Sequence, residues 1–272
     1  LHYASRQQAL KQIKQIRYDL AIDLYPYFPN SIPLIFAAKI PVRLGWTSGG
    51  FGGLLTHFLN WEQTPKNHMV DFHKRLLAKI KDCDAHLSLV RPKLYTSDQI
   101  KQQWTEIVKK YQIPEVYFAF HIGAGGIHRR WPTESWKALA NLLSKEDKVI
   151  VLLGHGSEEE SICREISKNT SHIYDLSGKL SWRLMTEAIG QSVLLVGLES
   201  ASGHIAASRN IPSISIYSGT TKTEMWRPYH PFSRVISYPV SCAPCYLSEG
   251  CGAMECIRLI TPEMVLNEIN KN

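Results

Sequence analysis

The residue types best suited to chemistry are concentrated in two short segments that are rich in glycine and other small residues. The first segment, residues 121–136, reads HIGAGGIHRRWPTESW, so glycines are followed by Arg129 and Arg130 and then by a proline that can begin a helix. Backbone N–H groups and arginines beside a helix start are suited to holding a diphosphate. A tight turn with solvated arginines is an equally good interpretation of the spacing alone.

The second segment, residues 196–207, reads VGLESASGHIAA and is predicted to end a strand and begin a helix. Its small residues allow a ligand to approach the backbone closely. Glu199 and Ser200 lie where a ribose or sugar hydroxyl could bind, and His204 falls on the first helical turn. The alternatives are a helix cap for Glu199 and a packing role for His204.

A third segment, residues 154–160, reads GHGSEEE and follows another predicted strand. Ser157 can cap the following helix, and the three glutamates complement the helix dipole, which is the stronger general explanation. One of these glutamates could instead hold a ribose through hydrogen bonds to two hydroxyl groups.

Four of the six cysteines form a cluster near the C-terminus with the spacing C-x₂-C-x₅-C-x₄-C. They are Cys242, Cys245, Cys251 and Cys256. Four thiolates at this spacing could close a tetrahedral site for structural zinc or iron, and unligated thiols are the alternative. Cys83 and Cys163 stand apart and are predicted to be buried small hydrophobic residues.

These segments must be positioned by an alternation of strands and helices that begins near Val116. The pattern is typical of a parallel sheet covered on both faces. The predicted strands are residues 116–121, 148–153, 173–176, 193–197 and 213–217. Upstream, a strand over residues 18–24 places Asp23 at its carboxyl end, where ligands gather in open α/β sheets. Upstream helices are predicted over residues 5–16, 32–38, 70–81 and 98–111, and a domain boundary is predicted near 112–115.

Size and composition are those of an ordinary globular protein. The chain has 272 residues, of which 44% are hydrophobic and 20% charged. No apolar run approaches the roughly 20 residues of a membrane span, and residues 1–17 lack the apolar core of a signal peptide, so a cytoplasmic protein is expected. The formal net charge of +7 favours anionic partners, although an inert basic surface is equally compatible. The chain lacks a basic stripe with interleaved aromatic residues, so no nucleic-acid partner is expected.

Taken in this order, the segments resemble glycosyltransferase family 9, the heptosyltransferases of bacterial lipopolysaccharide biosynthesis. Residues 121–132 are similar to the family loop H-P-G-A-(x)-K-R-W-P, and residues 199–207 are similar to D-S-G-x-x-H-x-A-A. Residues 242–245 and 260–265 correspond to C-x-P-C and I-x-P-E-x-V. Each motif is weak alone, and their shared order over most of the chain carries the resemblance.

The resemblance implies a GT-B fold, in which two Rossmann-like domains face each other across a cleft. Residues 1–113 would form an incomplete acceptor-side domain. Residues 114–272 would form the donor-binding domain, with the cysteine-rich segment and a returning C-terminal helix. The implied reaction is an inverting transfer, without a catalytic metal, of a sugar such as heptose from ADP-heptose or a related nucleotide-sugar. The acceptor would be a lipid-linked saccharide at the inner face of the bacterial cytoplasmic membrane, with peripheral membrane contact.

The resemblance also assigns site residues by position. Arg129 replaces the lysine that neutralises the diphosphate, and Glu158 matches a glutamate that binds the ribose. The donor-binding residues implied in this way are His121, Gly123, Ala124, Gly125, Arg129, Arg130, Glu158, Glu199, Ser200, Ala201 and His204. Arg129 is also the predicted catalytic cation, because a fixed guanidinium stabilises negative charge on a departing diphosphate.

The chain departs from the family near its beginning. The family's catalytic base is an aspartate in a G-D pair after a first strand, whereas this chain opens with a predicted helix, so its first domain is either truncated or differently built. Asp23 is a substitute base by location only, and a strand-end carboxylate is the competing interpretation. The alternative function is therefore a degenerate, inactive nucleotide-sugar-binding or scaffold module.

Overall fold

The computed structural model describes residues 3–61, 67–80, 92–168 and 170–271 of the chain. The chain divides into two compact units, Leu1–Val90 and Arg91–Asn272, and each unit contains its own parallel sheet. The predicted α/β class with parallel sheets is thus confirmed. None of the described helices is both long enough and apolar enough to cross a membrane.

The first unit is built on a three-stranded sheet with the order β1-β2-β3. Its elements are α1 (Tyr3–Ile16), β1 (Leu20–Ile22), α2 (Ile32–Ala37), β2 (Val42–Trp46), β3 (His57–Leu59) and α3 (Met69–Leu77). β1 is shorter than the strand predicted over residues 18–24, and α3 ends at Leu77. The predicted end of that helix, residue 81, lies outside the described residues. Trp46 and Phe72 pack around Trp61, with ring centroids 5.1 Å and 4.3 Å from the Trp61 ring.

The second unit is built on a six-stranded parallel sheet with the order β6-β5-β4-β7-β8-β9. Its strands are β4 (Phe118–His121), β5 (Ile150–Leu153), β6 (Ile173–Asp175), β7 (Leu194–Leu198), β8 (Ser213–Tyr217) and β9 (Ser233–Ser237). Its helices are α4 (Asp98–Tyr111), α5 (Thr133–Ser144), α6 (Ser157–Ser167), α7 (Trp182–Gly190), α8 (Ala201–Ser208), α9 (Thr223–Trp226), α10 (Glu255–Arg258) and α11 (Pro262–Ile269). The five strands predicted in this region are all present, and β9 adds one that was not predicted.

Both faces of this sheet are covered, as the apolar runs of β5 and β7 indicate. Every residue of β5, β7 and β8 is buried. On one face Trp136 and Leu143 of α5 pack with Val265 of α11. On the other face Trp104 of α4 packs with Ile205 of α8.

The division between the units falls earlier than the boundary predicted near 112–115, because α4 belongs to the second unit. α4 packs against α7, and its Trp104 is 5% exposed. The segment before α4 is fixed by Glu187, a fully buried carboxylate of α7. Glu187 accepts hydrogen bonds from Thr96 and Gln191, and Arg209 lies 2.9 Å from its Oε2.

Candidate functional site

The glycine-rich segments converge at the carboxyl edge of the six-stranded sheet. In the sheet register His121, the last residue of β4, is paired with Leu153 of β5 on one side and with Gly197 of β7 on the other. The loops that follow these three strands therefore lie side by side, at the edge where parallel α/β sheets bind ligands.

A polar cavity of about 360 Å³ lies beside β7 and β8 at this edge. It is lined by Arg129, Glu199, Ser200, Ala201, His204, Tyr217, Thr221 and Trp226. Five of these residues were singled out in the sequence as donor-binding, so both glycine-rich segments contribute to one cavity. Tyr217, Thr221 and Trp226 were not predicted, because they are near the cavity only through the pairing of β8 with β7.

Glu199 is the most buried charged group of the polar cavity, with 8% of its surface exposed. Its Oε1 accepts a hydrogen bond of 2.8 Å from Thr221 and lies 3.7 Å from Nη1 of Arg129. Burial raises the pKa of this carboxyl, and the Thr221 hydrogen bond and the Arg129 charge oppose the rise. Its other oxygen, Oε2, is buried without a hydrogen-bond partner among the described residues, as is Nε of Arg129. The cavity thus presents one unused acceptor and one unused donor.

The glutamates of the acidic segment after β5 lie in different surroundings, and the ribose-binding role of Glu158 stays a prediction. Glu158, predicted to bind ribose, is largely exposed and forms an ion pair with Arg130. Glu159 instead turns toward the glycine-rich loop, where its Oε2 accepts a hydrogen bond of 2.9 Å from the backbone N–H of His155. A methyl group on Gly123 would collide with the Glu159 carboxylate, so a larger residue there would displace the Glu159 side chain. Spacing alone left the three adjacent glutamates equivalent, and only the family resemblance singled out Glu158.

Gly125 and Ala124, two further residues of the glycine-rich loop, differ in what they can offer a ligand. The backbone of Gly125 is open, with nothing near the place where a side chain would stand. Ala124 packs into the hydrophobic core beside Trp131, so its side chain is structural and any contact with a ligand is limited to its backbone.

A second, mainly apolar cavity of about 340 Å³ lies beside β5 and β6 at the same edge. It is lined by His121, Leu153, Gly154, His155, Leu176, Leu180, Ser181, Trp182 and Met185. Burial lowers the pKa of the His121 imidazole against the opposing effect of the Glu159 charge, so this ring is neutral at neutral pH. Nδ1 of His121 is buried and has no hydrogen-bond partner within the described part of the chain. Trp182 is 60% exposed at the mouth of the cavity. The sequence signal that could have identified this residue is a tryptophan at the start of a predicted helix.

Asp23, the predicted substitute base, is a buried loop anchor in the first unit. Its carboxylate accepts hydrogen bonds of 2.9 Å from both the backbone N–H and the hydroxyl of Ser31. It also accepts a bond of 3.0 Å from the backbone N–H of Tyr25. These bonds make the carboxylate a structural acceptor within its own loop and support the strand-end interpretation.

The tetrahedral metal site predicted at the clustered cysteines stays a prediction. Within residues 3–61, 67–80, 92–168 and 170–271, no three His, Cys, Asp or Glu side chains are arranged to hold a metal ion. Cys242 and Cys251 are exposed free thiols, whereas Cys256 is buried in the core. Cys163 is buried as predicted, and burial raises the pKa of its thiol to about 12. Cys83 lies outside the described residues.

Comparison with known proteins gives one consistent result. The sequence profile of Glycosyltransferase family 9 (heptosyltransferase) matches residues 6–252. Lipopolysaccharide heptosyltransferase 3 of Escherichia coli K12 is 29% identical over 120 residues, which are 43% of this chain and only 35% of that protein. Lipooligosaccharide heptosyltransferase 2 of Haemophilus influenzae is 27% identical over 278 residues, covering 94% of this chain and 76% of that protein.

The fold matches as well. The solved structure of the E. coli ADP-heptose lipopolysaccharide heptosyltransferase II superimposes with a TM-score of 0.76 at 24% identity, covering 98% of this chain and 80% of that chain. The two parallel sheets are therefore those of the GT-B type, as expected from the sequence motifs.

Proposed function

Because the chain belongs to glycosyltransferase family 9, we propose that it transfers a sugar from a nucleotide-diphosphate donor to a saccharide acceptor, with inversion at the anomeric carbon. The observation that carries the proposal is the pair of unused groups in the polar cavity, Nε of Arg129 and Oε2 of Glu199. A buried donor and a buried acceptor without partners are rare in native proteins, and a ligand that brings both a phosphate and a hydroxyl would satisfy them.

We place the donor across both cavities. The nucleobase lies in the apolar cavity against Trp182, where a flat ring replaces water on an exposed aromatic surface. The diphosphate follows the open backbone at Gly125 toward Arg129. The transferred sugar lies in the polar cavity, where a hydroxyl donates a hydrogen bond to Oε2 of Glu199. Adenine is the proposed base and heptose the proposed sugar, by analogy with the relatives named above.

Arg129 is the residue to which we assign the main catalytic effect. Negative charge grows on the diphosphate as its bond to the sugar breaks, and a fixed guanidinium stabilises that charge without reorganising. Glu199 holds the guanidinium in place from the side away from solvent. In this proposal the guanidinium, rather than a metal ion, supplies the compensating positive charge.

The acceptor is proposed to be a lipid-linked saccharide that binds to the first unit at the inner face of the cytoplasmic membrane. Its hydroxyl must lose a proton during transfer, which requires a base. Asp23 is not assigned this role, because its two oxygens already accept three hydrogen bonds. This engagement of Asp23 favours a second candidate function, a module that binds the donor without turnover.

Calorimetric titration with ADP-heptose, ADP, UDP-glucose and GDP-mannose tests the donor. We expect ADP-heptose to bind, and Arg129→Ala to weaken it by about tenfold or more, since a charge-assisted hydrogen bond contributes about 1.5–3 kcal/mol. Arg164→Ala, which removes an exposed arginine of α6, is the matched control and should bind as the wild type does. Binding of none of these nucleotides would overturn the proposal. Donor binding without ADP release in the presence of a lipid-linked acceptor would favour the non-catalytic module.

A further inference from the structure

A positively charged cavity of about 440 Å³ lies in the first unit, at the amino edge of its sheet. We call it the amino-edge cavity, and the residues that define it here are Ile13, Lys14, Arg17, Tyr18, Lys39 and Ile40. It lies between the ends of α1 and α2, where the chain enters β1 and β2. Asp23 follows the opposite, carboxyl end of β1, so this cavity is separate from the edge at which α/β sheets bind their substrates.

The charge in this cavity is not neutralised by the protein. Lys14, Arg17 and Lys39 are all exposed, and within the described part of the chain none of the three forms an ion pair. One acidic side chain, Asp19, also lines the cavity. An adjoining cavity of about 610 Å³ along α1 shares Lys14 and Arg17 and adds Lys11. The cations therefore form a continuous positive surface along the end of α1.

The charge is concentrated on this unit as a whole. Residues 1–90 contain 11 of the 31 lysines and arginines and 6 of the 24 acidic residues, which gives this third of the chain +5 of the net +7. A ligand with negative charge would therefore be attracted to the first unit before any local contact is made.

Two of the cations occupy backbone positions that suit glycine. Arg17 and Lys39 have φ angles of 59° and 62°, in the left-handed region. Lys39 closes α2 with a bond of 2.9 Å from its N–H to the carbonyl of Phe36, and the next N–H, of Ile40, returns to Ile35. Glycine is the usual residue at such helix ends, because it has no side chain to strain the backbone.

The attraction between a cation and a helix C-terminus explains why a basic residue is favoured at the C-terminal end of α1 and of α2. It does not explain why Arg17 and Lys39, two of the nine described non-glycine residues with a positive φ, line the same cavity with Lys14. Non-glycine residues in this conformation persist where the surrounding structure holds them, and they are enriched at ligand sites.

We propose that the amino-edge cavity binds a phosphate-bearing ligand through Lys14, Arg17 and Lys39. Tyr18 can donate a further hydrogen bond to a phosphate oxygen, and Ile13 and Ile40 provide an apolar wall for the rest of the ligand. Its volume suits a phosphorylated small molecule or a phospholipid headgroup. The site lies outside the donor cavities and does not depend on the proposed transferase activity.

The test uses a variant that removes charge without straining the fold. Arg17→Gly/Lys39→Gly replaces two cations with the residue that the local backbone favours, so the variant should unfold at the same temperature as the wild type or higher. Binding is measured in two arms, calorimetric titration with glycerol 3-phosphate and co-sedimentation with vesicles of phosphatidylcholine containing 30% phosphatidylglycerol. We expect a loss of tenfold or more in whichever arm shows binding.

Two control variants isolate the effect. Gln112→Gly makes the same change at another left-handed helix end, that of α4, and removes no charge. Lys79→Gln/Lys148→Gln removes two exposed cations elsewhere on the chain. Both controls should bind as the wild type does. Binding to vesicles alone would identify a lipid phosphate, and binding to glycerol 3-phosphate would identify a soluble one. Absence of wild-type binding in both arms, or an equal loss in either control, would overturn the proposal.

Discussion

The guanidinium of Arg129 lies 3.7 Å from the carboxylate of Glu199, although the two residues come from loops that follow different strands. β4 and β7 are neighbours in the sheet, and this pairing brings together residues separated by 70 positions in the sequence. Glu199 is the more buried partner, at 8% exposed against 33% for Arg129. The ion pair therefore orients the Arg129 guanidinium at the wall of the polar cavity. It also keeps the Glu199 carboxylate in a buried position that disfavours its ionisation.

Replacing Glu199 with glutamine should make stability less sensitive to pH. Because burial raises the pKa of Glu199 above its ordinary value of 4.5, the folded protein binds this proton more tightly than the unfolded chain does. The free energy of unfolding then falls as the pH rises from the unfolded pKa through the folded one. We expect Glu199→Gln to be more stable than the wild type at pH 7, and the difference to shrink as the pH approaches 4.5.

Urea unfolding of both proteins between pH 4 and pH 8 measures this difference. Glu146→Gln, which changes an exposed carboxylate of the same unit, is the control and should show no such trend. A wild-type protein that gains stability relative to Glu199→Gln as the pH rises would show that the Arg129 pairing outweighs burial.

Replacing Trp182 with alanine should weaken nucleotide binding without weakening pyrophosphate binding. The indole is 60% exposed at the mouth of the apolar cavity, so its removal leaves the core intact. Stacking of a base on an aromatic ring contributes about 1–3 kcal/mol, so we expect the dissociation constant for ADP to rise about tenfold. Phe232→Ala removes another aromatic residue, 62% exposed, as the control. Equal losses for ADP and pyrophosphate would place the nucleobase elsewhere.

The sequence was most informative where a local pattern and the sheet impose the same constraint. The alternation of strands and helices in the second unit predicted five strands. In β5 and β7 the apolar run is nearly continuous, because both faces of these strands are buried. The glycine-rich loops were found because close approach of a ligand to the backbone requires small residues. The family resemblance, rather than either signal, assigned Arg129, Glu199 and His204 to one donor site.

Other features depend on contacts that no local pattern encodes. The domain boundary was predicted near 112–115, just before the regular alternation of strands and helices begins. The burial of Trp104 against the second sheet instead places α4 in the second unit. The carboxylate of Glu159 lies against Gly123, a contact that the spacing of the three glutamates could not predict. The cysteine spacing suggested a metal site, whereas folding places Cys256 in the core and leaves Cys242 exposed.

Replacing Arg209 with alanine should strongly destabilise the second unit. Arg209 is 14% exposed and is paired with Glu187, which is 1% exposed, so the variant would leave a buried carboxylate without its cation. Breaking a buried pair from one side costs about 3–5 kcal/mol. We expect a loss of this size in urea unfolding, and a partial recovery in Arg209→Ala/Glu187→Gln, where the buried group is neutral. A loss below about 1 kcal/mol for the single variant would contradict the buried pairing.

The reactivity of the cysteines should follow their burial. A thiolate, rather than a thiol, attacks iodoacetamide, so an exposed cysteine reacts first and a buried one with a raised pKa reacts last. We expect mass spectrometry of the native protein to show rapid alkylation of Cys242 and Cys251. Cys256, which is buried, and Cys163, whose pKa is raised to about 12, should react only after denaturation.

The same experiment distinguishes free thiols from a metal site. If zinc or iron joined the clustered cysteines, Cys242 and Cys251 would be protected together with Cys245 and Cys256, and a chelator would release all four at once. If the thiols are free, a chelator should leave every alkylation rate unchanged. If Cys242 and Cys251 are protected and a chelator removes that protection, the cluster binds a metal ion. That result would differ from the arrangement of the described thiols, which does not indicate a metal site.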